Sequence, residues 1–198
     1  MYKAIGFDYG GVLNHSKPIM SGFAEITGIP QDELRAYYLQ YNHLSNVGNM
    51  SYEDLWTKVI TDLGHSDKVD RVIEHMHQQH SKEFDNRMLV LINELREKGY
   101  KTGLLSNNTK ENAIRLRNEG LDKYFDVFLI SAEIGIQKPD RKAFHLLCEK
   151  LEILPSEMIF VDDSESSLRL ANEIGYHPIL FSSYEQFLEE LGNLVILT

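Results

Sequence analysis

From residue 84 onward the chain repeats one rhythm, an amphipathic helical stretch followed by a short apolar run. NRMLVLINELREKGY precedes KTGLLS, TKENAIRLRNEG precedes VFLI, DRKAFHLLCEKL precedes MIFVDD, and SSLRLANEIG precedes HPILF, before a closing YEQFLEEL. Strands separated by whole helices cannot pair as hairpins. They lie parallel, and the intervening helices must cover both faces of the sheet they form. One more apolar run, AIGF, ends on Asp8 and is broken by Gly10 and Gly11, which reads as a buried strand entering a tight loop.

The segment between has a different character. IPQDELRAYYLQYNHL carries Leu34, Tyr37, Tyr38 and Tyr41 at helical spacing. SYEDLWTKVITDLG opens with Ser51 and Asp54 in capping-box positions, presents Leu55, Val59 and Leu63 as its apolar face, and meets a natural stop at Gly64. The expected architecture is α/β: a three-layer, Rossmann-like parallel sheet built from residues 1–15 and 84–198. A small α-helical cap, residues 16–83, is inserted after the first strand and lies over the carboxyl edge of the sheet.

Ligands of an open parallel sheet bind outside the carboxyl ends of its strands, so what each run delivers there matters. The first ends at Asp8 and the second at Ser106, followed by Asn107 and Asn108. VFLI leads through Ser131 to Lys138–Pro139–Asp140, and MIFV ends at Asp162 and Asp163. Three carboxylates converging on one cleft repel each other, by roughly 4 kcal/mol per pair at 4 Å and an effective dielectric near 20. Either some are protonated or a divalent cation sits among them. An all-oxygen set suits Mg²⁺. With a hydroxyl from Ser106, an N–H or amide from Asn107 and the Lys138 ammonium opposite, the site offers donors to an anion, and phosphate is the obvious candidate.

This ordered set, Asp8 in FDYGGVL, Ser106 in LLSNN, Lys138 in QKPD and Asp162–Asp163 in FVDDS, resembles the haloacid dehalogenase-like hydrolase superfamily, and the helical insertion resembles its type 1 cap. The likeness implies that Asp8 attacks phosphorus and forms an aspartyl phosphate. It implies a Mg²⁺ ion held by Asp8, the Gly10 carbonyl and Asp163, with Asp162 supporting or sharing that role. Ser106 and the Asn107 N–H would hold phosphate oxygens, and Lys138 would neutralise nucleophile and phosphate together.

The departure is Gly10, where most phosphatases of this family carry a second aspartate as general acid. Such help is worth about 10²–10⁴-fold, so its loss slows the reaction without closing the route. The sequence is similar here to the one-aspartate branch that includes glucose 1-phosphate phosphatases, whose leaving group departs readily. A mutase needs the missing acid and is disfavoured. Metal-independent 2-haloacid dehalogenases also lack it, but they do not carry the adjacent acidic pair. The expected activity is therefore Mg²⁺-dependent hydrolysis of a small phosphomonoester, a sugar phosphate ahead of a nucleotide. A non-catalytic phosphate- or metabolite-binding relative is the rival, as is a dehalogenase.

The formal net charge of −10 disfavours a nucleic-acid or anionic-membrane surface, and no apolar stretch is long enough to span a bilayer. A lone cysteine, Cys148, and an N-terminus without a signal-peptide pattern suit the cytoplasm. Other chemistry-bearing residues have plainer readings. His15 is weighed as a stand-in proton donor against a solvent-facing linker position. His75, His77 and His80 read as a solvated helix face rather than a metal site. The three tyrosines and Trp56 read as cap packing, Asn108 as turn or helix cap, and Cys148 as a buried inert thiol.

Overall fold

A computed structural model describes residues 1–15, 19–78 and 84–194. The elements run β1 (Ala4–Phe7), α1 (Met20–Thr27), α2 (Gln31–Asn46), α3 (Tyr52–Asp62), α4 (Val69–Gln78) and α5 (Asn86–Glu97). They continue β2 (Lys101–Ser106), α6 (Lys110–Asn118), β3 (Val127–Ile130), α7 (Ser131–Ile134), α8 (Arg141–Lys150) and β4 (Met158–Asp162). The chain then runs through α9 (Glu165–Leu168), α10 (Ala171–Ile174), β5 (His177–Leu180) and α11 (Tyr184–Leu194).

All five strands are parallel, in the order β3-β2-β1-β4-β5. Phe7 of β1 pairs with Leu104 of β2 on one side and Val161 of β4 on the other. The connections leave β1 toward β2 and β3, then return across it to β4 and β5. The order therefore reverses between β1 and β4, the place where such sheets form a ligand crevice. The sequence expectation of a three-layer parallel sheet holds.

The sheet's two faces carry separate apolar layers. Ile5, Phe7 and Val161 pack with Met88, Ile92, Leu116, Phe187 and Leu191 of α5, α6 and α11. Ala4, Leu105 and Phe160 pack with Phe144 and Leu147 of α8 and Ile174 of α10. Gly6 completes the second face: a Cβ there would sit 2.5 Å from the Phe160 ring, so a bare backbone lets that ring lie over the central strand. Burying each such large side chain contributes about 1.5–3 kcal/mol.

Helices α1–α4 gather around a third cluster of Phe23, Leu34, Leu55, Trp56, Val59, Ile60 and Val72. Ser51 caps α3 as expected, accepting from the Asp54 N–H at 3.0 Å while its hydroxyl donates to Asp54 Oδ2 at 2.7 Å. The buried face of α3 is Leu55, Trp56, Val59 and Ile60, whereas Leu63 is the C-cap and only half-buried. SSLRLANEIG, expected as one helix, is two short ones broken at Arg169–Leu170. The expected junctions at residues 16 and 83, and His80, lie outside the described residues. No described helix is long and apolar enough to cross a membrane.

Candidate active site

The strand ends on either side of the β1/β4 reversal bring the acidic residues together. Asp8 follows β1 directly, and its N–H donates to the Val161 carbonyl at 2.9 Å, which ties its backbone to β4. Asp162 closes β4 and Asp163 follows it. One carboxylate oxygen from each of Asp8, Asp162 and Asp163 lies within 4.8 Å of the others. Lys138 reaches this cluster from the loop after α7 and donates to Asp8 Oδ1 at 2.7 Å and Asp162 Oδ2 at 2.5 Å.

These groups sit almost wholly out of water: Asp8 is 8% exposed, Lys138 3% and Asp162 1%. Burial pushes the Asp8 carboxyl up to about 6; Lys138 pulls against that shift and the Asp162 charge adds to it. Burial would lower the Lys138 ammonium, but Asp8 and Asp162 outweigh it and hold the lysine above its ordinary range. Asp163 is also raised, by burial and then by Asp162. One lysine thus faces three carboxylates, and among the described residues Asp163 makes no salt bridge of its own, although the Lys138 charge still acts on it. Asp162 is differently placed, since its other oxygen accepts from the Ser164 N–H at 2.9 Å.

The loop after β1 is shaped around Asp163. Gly11 has φ +73°, a conformation side chains resist, and a Cβ there would lie 2.1 Å from Asp163 Oδ2. Gly10 is different, because a Cβ there would meet only Asp8 Oδ2, at 3.9 Å. Glycine is thus required at position 11 and is sterically optional at position 10.

Ser106 ends β2 buried, lines the same cavity, and its hydroxyl has no hydrogen-bond partner among the described residues. Asn107 uses its side chain otherwise. Its amide donates to the Lys138 carbonyl at 2.9 Å and its oxygen accepts from the Lys138 N–H at 2.7 Å, a clamp across thirty-one positions that aims the lysine. The Lys138–Pro139 bond is cis. Asn108 serves the turn: its N–H donates to Ser131 Oγ at 2.9 Å and its side-chain oxygen accepts from the Thr109 N–H at 2.9 Å.

A cavity of about 820 Å³ opens above these groups, walled below by the strand ends and above by residues of α2, α3 and α4. His15 is not in its lining; it stacks on Phe181 at 5.9 Å and lies 3.6 Å from Asp85, which fits the linker reading. His77 does line it, paired with Glu53 at 3.3 Å. His75 corrects the solvated-face expectation, since it packs edge-on to Phe23 and closely against Gly22. Tyr38 stacks on Trp56 at 5.2 Å and still reaches the cavity, so packing and lining are both its work. Cys148 is buried against Met158, its thiol pushed up to about 11, and is inert as expected.

Sequence reading missed Arg115, Tyr52 and Glu111, which also line the cavity. Arg115 sits four residues before Glu119 and looks in sequence like an exposed helix pair. Its guanidinium does bind Glu119, at 2.8 Å, but also donates to Tyr9 Oη at 3.1 Å and Asn112 Oδ1 at 2.8 Å.

The chain is similar to known proteins to different extents. Over 112 residues the chain is 37% identical to acyl-CoA dehydrogenase family member 10 of Mus musculus, covering 54% of this chain and 10% of that protein. It is 28% identical over 119 residues to mouse bifunctional epoxide hydrolase 2, covering 58% and 22%. The chain thus spans a tenth to about a fifth of the length of these relatives. D-ribitol-5-phosphate phosphatase of Bacteroides thetaiotaomicron is 27% identical over 188 residues, 89% of this chain and 90% of that one.

Among solved structures, one described as a predicted HAD-like family hydrolase from Porphyromonas gingivalis superposes with a TM-score of 0.75 at 23% identity, covering 98% of both chains. A HAD family enzyme of B. thetaiotaomicron, in complex with magnesium and inorganic phosphate, gives 0.70 at 20% identity over 94% of this chain and 99% of that chain. L-2-haloacid dehalogenase of Xanthobacter autotrophicus gives 0.65 at 19% identity over 99% and 84%. The family profile for haloacid dehalogenase-like hydrolases matches residues 7–181. With its parallel sheet and its acidic cluster at the strand reversal, the chain belongs to the haloacid dehalogenase-like hydrolase family.

Proposed function

We propose that the chain is a Mg²⁺-dependent phosphatase that hydrolyses small phosphomonoesters, sugar phosphates among them, through an aspartyl phosphate on Asp8. The observation that carries this reading is the convergence of Asp8, Asp162 and Asp163 on one point with a single buried lysine against them. One ammonium cannot balance three carboxylates, and the donors are all hard oxygens, so the residues fit a divalent magnesium ion. Asp8, the Gly10 carbonyl and Asp163 would hold it, with Asp162 behind them. When bound, the ion neutralises these carboxylates and polarises phosphoryl oxygens.

The chain's own groups then have definite work. Lys138 keeps a third N–H for a phosphate oxygen after serving Asp8 and Asp162. The Ser106 hydroxyl and the Asn107 N–H face the same anion. An Asp8 carboxylate oxygen forms a bond to phosphorus as the bond to the ester oxygen breaks. The departing oxygen takes its proton from cavity water, because Gly10 brings none. Water then attacks phosphorus and returns phosphate and free Asp8. Helices α1–α4 act as a cap that closes over the substrate and limits water.

The support is of several kinds: the cluster, the family, a ribitol phosphate phosphatase relative aligned along most of the chain, and a like-folded enzyme complexed with magnesium and phosphate. The test is phosphate release from sugar, nucleotide and aryl phosphates, with and without Mg²⁺, beside Asp8→Asn. Metal-dependent release, lost in the variant, is expected. Release from none of the three classes would favour a non-catalytic binder, and halide release from a 2-haloacid without metal would favour a dehalogenase.

A further inference from the structure

Among the described residues, the cavity wall above the acidic cluster is itself acidic, and each basic side chain lining it is already engaged. Glu53 projects from α3 and Glu111 from α6, both solvent-exposed and both lining the cavity. Against them stand Lys138, Arg115 and His77. Lys138 is buried between Asp8 and Asp162. Arg115 has each of its three nitrogens hydrogen-bonded, and Glu119 balances its charge from behind the wall. His77 is paired with Glu53. Asp54 adds a further exposed carboxylate to this wall, accepting from the Ser51 hydroxyl, and neutral groups come from the amides of Asn46 and Asn112 and the hydroxyl of Tyr52.

Resting on the phosphatase reading above, the geometry points to a substrate that carries one phosphate and no second anion: a neutral, hydroxyl-rich or amine-bearing monophosphate. A bisphosphate or a carboxylated phosphate would bring its second negative charge against Glu53 and Glu111, with no free cation among the described lining residues to receive it. A site that binds such an anion well supplies a bidentate arginine or a lysine at that end. Arg115, the arginine among the described lining residues, is spent on holding Tyr9 and Asn112, so it serves as a strut of the wall. Hydroxyls suit the wall because carboxylates and amides both accept from them.

The test compares esters matched in skeleton that differ at one group: glucose 6-phosphate with glucosamine 6-phosphate, glucitol 6-phosphate with 6-phosphogluconate, and glycerol 3-phosphate with 3-phosphoglycerate. Each is assayed for release in Mg²⁺, and as a competitor of p-nitrophenyl phosphate hydrolysis, so poor turnover does not hide binding. The neutral and amine-bearing members should have kcat/KM about tenfold or more above the acidic ones, and inhibition constants about tenfold or more below them. Glu53→Gln with Glu111→Gln should narrow that gap. Metal-dependent release with equal values for neutral and acidic members, or a gap unchanged in the double variant, would overturn the inference alone. No release from any ester, p-nitrophenyl phosphate included, would overturn the phosphatase reading and the inference with it.

Discussion

At Gly10 there is space for a side chain beside Asp8, since the nearest atom a Cβ would meet is Asp8 Oδ2 at 3.9 Å. Gly10→Asp is therefore expected to fold and to supply a proton to the leaving group. A positioned acid is worth about 10²–10⁴-fold, most for alkoxides that leave badly. The variant should raise kcat for alkyl phosphates by about tenfold or more while changing p-nitrophenyl phosphate little. A uniform fall for both substrates would show that the added charge only repels the substrate. Asp8 itself makes a second prediction, for the metal-free protein. Its folded value near 6 lies above the ordinary carboxylate value. Between the two, the folded chain holds a proton that the unfolded chain has released. Stability from this group is therefore lost as pH rises from about 4 to about 6. In EDTA, melting temperatures across that window should show this downward component in the parent and a smaller one in Asp8→Asn, where Asp163 still contributes in the same direction. The same slope in both would place its origin elsewhere.

At the scale of elements, the capping of α3 can be tested alone. Ser51 satisfies the Asp54 N–H at the open end of a helix that carries Leu55, Trp56, Val59 and Ile60 into the core of α1–α4. Ser51→Ala should cost about 1 kcal/mol in denaturant unfolding. No change in midpoint would mean that tertiary packing alone fixes this end. Elements of this kind were legible because their signals are local. Helical periodicity, capping residues and apolar runs ending on polar residues identified β1 to β5, and with them Asp8, Ser106, Lys138, Asp162 and Asp163. What stayed hidden depends on contacts distant in sequence. Nothing near Asn107 signals that its amide clamps the backbone of Lys138, and nothing near Arg115 signals Tyr9. The break between α9 and α10 was missed because both halves still bury a residue against the same face, Leu168 and Ala171, so the apolar pattern runs across it.

For the whole molecule, the sheet order decides where charge collects. Because β1 lies between β2 and β4, Asp8 is flanked by Ser106 on one side and by the acidic pair on the other, with helices α2 to α4 above. The fold thereby holds together like charges that an unfolded chain keeps apart, and a cation bound only by the folded form must stabilise it by mass action. At a hundred times its dissociation constant the gain is about 2.7 kcal/mol. For a chain of this size that is roughly 5–10 °C in melting temperature. Titrating Mg²⁺ into EDTA-treated protein should therefore raise the melting temperature with concentration. Asp163 makes no salt bridge among the described residues, so Asp163→Ala should remove most of the rise while leaving the Lys138 pairs intact. Asp8→Asn should remove part of it. A rise that persists undiminished in Asp163→Ala would put the ion elsewhere on this acidic surface. No rise at any concentration would mean that Lys138 and protonation of the carboxylates already balance the cluster, and the metal would have no place in the mechanism.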